Sequence, residues 1–200
     1  RKLTENQMTS VIKSVENKTL LTIPLRGVVI FPGIMTTFEI SRKLSVKAVK
    51  LAEENKAELF LVTQKDIAVE VPELNDLYKV GVVATLKHVF RLPNGNYQVM
   101  VEGLRRGEII GLNNENETLY ADVVVKDIEY EDDYYEVKKK IATVFAALGT
   151  YLQYFSRPSK EILDEARTIE DPGVFSDCIA SAFLVKFQDK QKVLEEINPV

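Results

Sequence analysis

Hydrophobic and polar residues alternate with a period of two through much of the first 128 residues, a pattern typical of half-buried β-strands. Phe38 and Ile40, for example, share one face of a predicted strand. The strands predicted in this way cover residues 34–40, 59–62, 78–92, 97–102, 107–112 and 119–128. One amphipathic helix, predicted from Ser45, interrupts them. The pattern therefore predicts a β-rich unit with a single helix.

A tight turn is predicted at Asn94 and Gly95. Both central residues of a type I′ turn need a positive φ, and an Asn-Gly pair adopts this conformation readily. The strand that follows alternates cleanly, with one face formed by Tyr97, Val99 and Val101 and the other by Gln98, Met100 and Glu102. Residues 87–102 are therefore predicted to form an antiparallel hairpin.

The period of the hydrophobic pattern changes from two to 3.6 after the acidic residues 129–133. Four helices are predicted beyond this point. The third starts at Asp171 and Pro172, where the acid caps the helix and the proline occupies its first turn. Because these helices follow the strands instead of alternating with them, we predict an α+β chain in two parts. The two parts are a β-rich subdomain at residues 19–128 and an all-α helical subdomain at residues 129–200.

Residues 1–18 are mostly polar, with apolar residues at helical spacing, namely Met8, Val11, Ile12 and Val15. A short amphipathic helix is one interpretation. We favour a weakly ordered N-terminal extension, because isolated helices of this length are marginal in water.

Composition limits the classes of protein and partner. The chain has 200 residues, of which 46% are hydrophobic and 28% charged, and its net charge is −4. These values are ordinary for a globular protein. No apolar run reaches the roughly 20 residues of a membrane span, no signal peptide opens the chain, and no basic face of the kind that binds nucleic acid stands out. We expect neither a membrane nor a nucleic-acid partner. The chain opens on arginine, which indicates a fragment or a processed protein.

The sequence contains no recognisable catalytic constellation. The nearest approach to a phosphate-binding loop, between Gly103 and Gly107, lacks the lysine and hydroxyl residue that should follow. His88 lies among strand residues, so we interpret it as a strand side chain and not as a metal ligand or base. Cys178 is the single cysteine, which fits a reducing compartment, and we interpret it as a small core residue. We therefore expect no catalytic, cofactor-binding or metal-binding residue in this chain.

Residues 24–33 (PLRGVVIFPG) form the most informative stretch of the β-rich part. Two prolines bracket it, and its two glycines allow sharp changes of direction. A turn at the second proline would prevent all of its apolar side chains from facing the core. Exposed methionine and aromatic groups suit the weak binding of irregular apolar segments. The candidate contact residues are therefore Val29, Ile30, Phe31, Ile34 and Met35. The alternative is that these residues pack beneath the neighbouring helix.

Seven short stretches carry a family resemblance through their shared order and spacing. They are residues 23–33 (IPLRGVVIFPG), 59–66 (LFLVTQKD), 76–84 (DLYKVGVVA), 92–95 (LPNG), 101–106 (VEGLRR), 169–173 (IEDPG) and 189–195 (DKQKVLE). Together they resemble the amino-terminal domain of Lon, the ATP-dependent protease family. Each stretch alone is a weak signal, but the set extends almost to the end of the chain.

The resemblance implies a six-stranded pseudo-barrel of the PUA-like kind with one helix, followed by a helical bundle that leads to an ATPase. It implies a non-catalytic region that binds unfolded or degron-bearing protein substrates and supports assembly of a hexamer, in cytoplasmic protein quality control. In a Lon protease the ATPase, with its ATP and Mg²⁺, and the serine–lysine peptidase would lie beyond Val200. The implied full-length protein is an ATP-dependent serine endopeptidase, whereas this chain is expected to catalyse neither step.

Two other functions fit the same residues. One is a stand-alone binding module built on the β-rich subdomain, with no protease attached. The other is an architectural or oligomerisation element, with substrate recognition elsewhere.

Overall fold

The computed structural model of the chain describes residues 10–130, 133–154 and 160–198. The strands are β1 (Ser10–Leu25), β2 (Met35–Ile40), β3 (Leu59–Thr63), β4 (Val80–Arg91), β5 (Tyr97–Glu115) and β6 (Thr118–Tyr130). The helices are α1 (Lys43–Asn55), α2 (Tyr134–Leu152), α3 (Lys160–Ala166), α4 (Pro172–Phe183) and α5 (Phe187–Glu195). Apart from α1, the helices follow the strands, which confirms the predicted α+β class.

The six strands form one sheet in the order β2-β5-β4-β3-β1-β6, and the sheet closes on itself because β5 also pairs with β6. The long strand β5 pairs with β4 along one edge. Its other edge pairs first with β2, at residues 97–102, and then with β6, at residues 108–115. Strands β1 and β3 are parallel, and the other pairs are antiparallel. The result is the six-stranded barrel with one helix that the resemblance implied.

The main core fills the barrel and includes the inner face of α1. Strand β3 is buried along its whole length, as its continuous apolar sequence predicts. One cluster of buried side chains joins Ile23 of β1 to Ala48 of α1. A second, smaller cluster surrounds Phe60 of β3. Burial on both faces makes β3 the central strand of the hydrophobic interior.

Strand β1 begins at Ser10, so the prediction of a weakly ordered extension or a short helix was wrong for residues 10–18. These residues pair antiparallel with the C-terminal part of β6. Their backbone hydrogen bonds come from a strand far along the chain, which the local spacing of apolar residues could not reveal. Residues 1–9, including Met8, lie outside the described residues.

The β4–β5 hairpin is confirmed, but its turn is not of type I′. Among the residues of this turn, all of them described, Gly95 alone has a positive φ (88°), and its N–H donates to the carbonyl oxygen of Leu92. This is a type I turn followed by a left-handed glycine. Pro93 imposes it, because proline is fixed at a negative φ. A turn with positive φ at both of its central residues instead joins β5 to β6, at Asn116 (50°) and Glu117 (60°).

Helices α4 and α5 pack against the barrel. The carboxylate of Asp171 accepts a hydrogen bond from a backbone N–H in the first turn of α4 (2.9 Å), which confirms the predicted helix start. Ala180 of α4 and Leu194 of α5 belong to the same buried cluster as the barrel core. Gln191, which is 1% exposed, donates its side-chain amide to the carbonyl oxygen of Val80 (3.0 Å). The helical part is therefore anchored on β4.

Candidate functional site

The apolar stretch that follows β1 lines the core instead of the surface. Val29, Ile30 and Phe31 are 6%, 2% and 1% exposed and belong to the main buried cluster. The expectation that these three side chains are exposed for contact is therefore corrected, and the alternative of packing into the core holds for them. Ile34 is half-buried, and Met35 is 51% exposed. Of the five candidates, Met35 is the one whose side chain is exposed.

Close approach of two backbone segments at Gly103 turns this stretch inward. The Gly33 N–H donates to the Gly103 carbonyl oxygen (2.8 Å), and the Gly103 N–H donates to the Ile34 carbonyl oxygen (3.1 Å). A Cβ atom on residue 103 would lie 2.1 Å from the carbonyl oxygen of Phe31, so glycine is required there. The positive φ of Gly33 (73°) lets the chain reverse into β2.

Arg42 fixes the beginning of the same stretch. Its guanidinium donates to the side-chain oxygen of Gln64 (2.6 Å) and to the carbonyl oxygen of Pro24. Gln64 is itself fully buried. Burial, together with the nearby guanidinium of Arg26, lowers the pKa of Arg42 to about 10. With both ends tied by hydrogen bonds, the stretch is a fixed structural element.

The outward face of β2, β4 and β5 carries a cluster of large side chains, termed here the outer patch, that consists of the apolar residues Met35, Phe90 and Met100 and the imidazole of His88. The register places Thr37, Met100 and His88 side by side across the three strands. Met35 and Phe90 are each 51% exposed, and the rings of His88 and Phe90 lie 5.9 Å apart. Residues two apart on a strand share a face, so Met35 and Phe90 flank Met100 diagonally.

Polar groups surround the outer patch. Lys87 and Glu102 form an ion pair on one side (2.6 Å). On the other side the Glu39 carboxylate accepts hydrogen bonds from the side chains of Asn96 (2.6 Å) and Asn94 (3.2 Å). These bonds hold the pKa of Glu39 below its usual range. An apolar centre with a polar rim is typical of surfaces that bind other polypeptides.

Sequence reasoning identifies only Met35 of the outer patch. Met100 offers a signal, because it is the apolar member of a strand face otherwise formed by Gln98 and Glu102. His88 lies on a strand, as predicted. The sequence does not show that it adjoins Met100, since that contact depends on the register between β4 and β5.

A cavity of about 710 Å³ lies between the barrel and the helical part. Arg106 of β5 lies at this boundary and donates to both carboxylate oxygens of Asp177 (2.8 and 2.6 Å) and to the carbonyl oxygen of Leu194 (2.9 Å). Burial raises the pKa of Asp177, against the opposing effect of Arg106. The lining combines apolar side chains, such as Ile128 and Ile197, with acidic and basic ones, such as Glu129 and Lys126. The hydrogen bonds of Arg106 make this boundary a joint between the barrel and the helical part.

The single histidine and the single cysteine of the chain lie on different elements. His88 belongs to β4, whereas Cys178 is half-buried on α4, where burial and the charge of Glu165 raise the pKa of its thiol. Within the described ranges, no group of three or more His, Cys, Asp or Glu side chains is arranged to hold a metal ion. None of the helices in the described part of the chain is both long and apolar enough to cross a membrane.

Comparison with known protein families gives a match over most of the chain. Residues 19–200 match the family described as the ATP-dependent protease La (LON) substrate-binding domain. The chain is 34% identical to the Lon protease of Clostridium acetobutylicum over 185 residues, and 35% identical to that of Clostridioides difficile over 182 residues. These alignments cover 92% and 88% of this chain but 24% and 23% of the relatives. The chain thus spans about a quarter of the length of the curated relatives that it matches.

Two solved structures have a similar fold. The N-terminal domain of the Mycobacterium avium complex Lon protease superposes with a TM-score of 0.74 at 21% sequence identity, covering 91% of this chain and 92% of that chain. A Lon N-terminal domain protein from Xanthomonas campestris gives a TM-score of 0.59 at 13% identity over the same shares of the two chains. At these identities the likeness concerns the fold alone.

Proposed function

Because this chain belongs to the Lon substrate-binding domain family, we propose that it captures unfolded or degron-bearing protein segments through the outer patch. The observation that carries the proposal is the outer patch itself, which presents two methionines and an aromatic ring on a firmly paired sheet within a polar rim. Methionine side chains are flexible and polarisable, so they adapt to apolar side chains of different shapes. Binding of this kind is weak and tolerant of sequence.

Selectivity for unfolded segments follows from what each form of a protein exposes. A folded protein buries most of its large apolar side chains, whereas an unfolded segment offers them to the outer patch. Each contact is small, since burying half of a methionine side chain contributes about 1 kcal/mol. Several copies of the outer patch on one hexamer would raise the effective concentration of binding sites, so the overall affinity increases without new contacts.

We assign the chemical steps to the remainder of a longer protein. The curated relatives are Lon proteases of which this chain spans about a quarter. In this proposal the present region binds substrate and supports assembly of the hexamer. ATP and Mg²⁺ belong to an ATPase domain further along the chain, and a peptidase domain cleaves the substrate. The full-length protein is then an ATP-dependent serine endopeptidase of cytoplasmic protein quality control.

The test compares one disulfide-bonded protein in two forms, native and reduced with its cysteines carboxymethylated. Fluorescence anisotropy measures the binding of each labelled form to the chain. We expect micromolar or weaker binding of the carboxymethylated form and much weaker binding of the native form. Met35→Ser and Phe90→Ser should each reduce the affinity by about fivefold, because each removes about 1 kcal/mol of apolar contact.

Ile110→Ser is the matched control, because Ile110 is 59% exposed on β5 but lies outside the outer patch. Its affinity should stay within about twofold of the unsubstituted chain. Phe31→Ser is unsuitable, since Phe31 is buried and its loss would destabilise the core by about 3–5 kcal/mol. Equal affinity for the two forms contradicts substrate capture. If both patch variants still bind the carboxymethylated form selectively, substrate capture is supported but its site lies outside the outer patch.

A second function, as an architectural joint, is favoured by the contacts between the barrel and the helical part. Arg106 and Gln191 both cross that boundary with side-chain hydrogen bonds. If the chain binds neither form of the test protein and self-associates with increasing concentration in analytical ultracentrifugation, the architectural function replaces substrate capture.

A further inference from the structure

Strand β2 has one edge to which no other described strand is paired. It stands first in the strand order and pairs along its length with β5. The Gly103 N–H donates to the carbonyl oxygen of Ile34, so alternation along the antiparallel pair directs the backbone groups of the even-numbered residues toward β5. The backbone groups that point toward the other edge are those of Met35, Thr37 and Glu39.

The open edge of β2 has little of the usual protection against pairing. Natural edge strands are very short or carry a charged side chain, a proline or a bulge, each of which discourages the addition of another strand. Strand β2 (MTTFEI) has six residues and one charged side chain, Glu39, but it contains neither proline nor lysine, and its register with β5 is regular. The part of β4 that extends beyond β3 differs, because it contains Lys87, Arg91 and a register shift between Leu86 and His88. The edge of β2 is therefore better suited than this part of β4 to receive a strand.

We propose that an extended segment of an unfolded polypeptide adds to the open edge of β2 as a further strand. This inference rests on the proposed function and specifies the form in which the substrate binds. Hydrogen bonds to the main chain of Met35, Thr37 and Glu39 carry no preference for side chains, which fits a site that accepts many sequences. Alternate side chains of the added strand project on the same side as Met35 and adjoin the outer patch.

Strand addition also explains why a folded protein would bind only weakly. Folded proteins keep their strands paired, and they protect the edges of their own sheets. An unfolded segment has unpaired backbone N–H and C=O groups, and it can adopt the extended conformation that pairing with β2 requires. Main-chain pairing and the outer patch then act together, since Met35 belongs to both: its backbone lies on the open edge, and its side chain lies in the patch.

Thr37→Pro tests the edge while keeping all four residues of the outer patch. The Thr37 N–H points toward the open edge, so proline removes a donor there while the bonds to β5 remain. Thr37→Val is the matched control, because it keeps the N–H and the strand propensity. Binding to the carboxymethylated protein should weaken about tenfold or more with Thr37→Pro and stay within about twofold with Thr37→Val. Circular dichroism establishes that both variants fold.

Hydrogen–deuterium exchange on the unsubstituted chain gives a second readout, which decides the matter if Thr37→Pro does not fold. With the carboxymethylated protein bound, the exchange rates of the amides of Met35, Thr37 and Glu39 should fall by about tenfold or more. The amides of Thr36 and Phe38 are bonded to β5 in the free chain and should change little.

The outcomes separate this inference from the proposed function. If the unsubstituted chain does not distinguish the carboxymethylated from the native form, the proposed function fails and strand addition fails with it. If it does distinguish them, and Met35→Ser weakens binding while Thr37→Pro and the edge amides are unaffected, the outer patch acts without strand addition. Protection of the same amides in a dimer without ligand would show that two copies pair through β2, and would also overturn the inference.

Discussion

Arg106 of β5 donates to both carboxylate oxygens of Asp177 of α4, at 2.8 and 2.6 Å, and this forked contact joins the barrel to the helical part. The Asp177 side chain is 5% exposed and that of Arg106 is 33% exposed, so the pair is largely shielded from water. A third bond, from Arg106 to the carbonyl oxygen of Leu194, attaches α5 at the same point. One arginine therefore positions two helices on the barrel.

Arg106→Met should lower the free energy of unfolding by about 2–3 kcal/mol. Methionine keeps an unbranched apolar stem but leaves Asp177 buried without its cation, a change that costs about 3–5 kcal/mol in fully buried pairs. The partial exposure of Arg106 reduces that cost. Urea denaturation followed by circular dichroism measures it. Arg105→Met is the matched control: Arg105 pairs with Glu16 where both side chains are roughly half exposed, so its loss should cost less than about 1 kcal/mol. Equal losses in the two variants would contradict this account.

The destabilisation caused by Arg106→Met should depend on pH. Burial places the folded-state pKa of Asp177 above its ordinary value of 3.8, and Arg106 opposes that shift, so the substitution raises this pKa further. A carboxyl group with a raised folded-state pKa stabilises the fold below its unfolded-state pKa, and this contribution is lost as pH rises through the folded-state pKa. The variant should therefore differ from the unsubstituted chain more at neutral pH than in mild acid. A difference that does not change with pH would show that the carboxylate is not responsible.

Gly103→Ala should destabilise the chain by about 3 kcal/mol or more. A Cβ atom there would lie 2.1 Å from the carbonyl oxygen of Phe31 and 2.9 Å from its carbonyl carbon. Both contacts are with backbone, so no side chain can rotate away. Gly149→Ala is the matched control, because a Cβ atom on this residue of α2 meets nothing within 4 Å and alanine favours helix by up to about 1 kcal/mol. Thermal unfolding should move in opposite directions for the two variants; a shared direction would contradict the argument.

The sequence predicts those parts of the fold that a few consecutive residues determine. The continuous apolar run of β3 and the alternation of Phe38 and Ile40 in β2 report burial directly. The first half of β1 is missed because its hydrogen bonds come from β6, which lies far along the chain. The outer patch is missed for the same kind of reason: Met35, His88 and Met100 come from three strands, and local sequence does not specify their register.

Glu117→Gly should raise the free energy of unfolding by about 0.5–1 kcal/mol. Glu117 has a φ of 60° in the β5–β6 turn, a conformation that costs residues other than glycine about 1–2 kcal/mol. The ion pair between Glu117 and Lys43 is lost, but both side chains are exposed, so this reduces the gain only slightly. Glu115→Gly is the control, since Glu115 is in β5 and glycine weakens a strand. Urea denaturation of the two variants should give changes of opposite sign, and a loss of stability with Glu117→Gly would show that the turn is not strained.

The β4–β5 and β5–β6 turns show how local sequence and strand pairing compete. Asn94 and Gly95 carry the sequence pattern of a type I′ turn, yet Pro93 immediately before them cannot take a positive φ and shifts the turn by one residue. Asn116 and Glu117 carry a weaker pattern but adopt positive φ at both positions, because β5 and β6 pair directly on either side of them, Glu115 opposite Thr118. Strand pairing, which is a property of the whole barrel, decides the turn type there.

The thiol of Cys178 should react slowly with an aromatic disulfide reagent while the chain is folded. Burial and the Glu165 carboxylate raise the pKa of this thiol above its ordinary value of 9.0, and the thiolate is the species that attacks a disulfide. At mildly alkaline pH the reaction should therefore be several-fold slower in the folded chain than in urea. Glu165→Gln removes the like charge, so it should speed the reaction of the folded chain and leave the rate in urea unchanged. A thiol whose folded-state pKa is raised stabilises the fold below its unfolded-state pKa, and this contribution is lost as pH rises through the folded-state pKa. The free energy of unfolding of the unsubstituted chain should therefore fall, relative to that of Cys178→Ala, at strongly alkaline pH. Equal rates in the folded and unfolded chain would show that the thiol is neither shielded nor shifted.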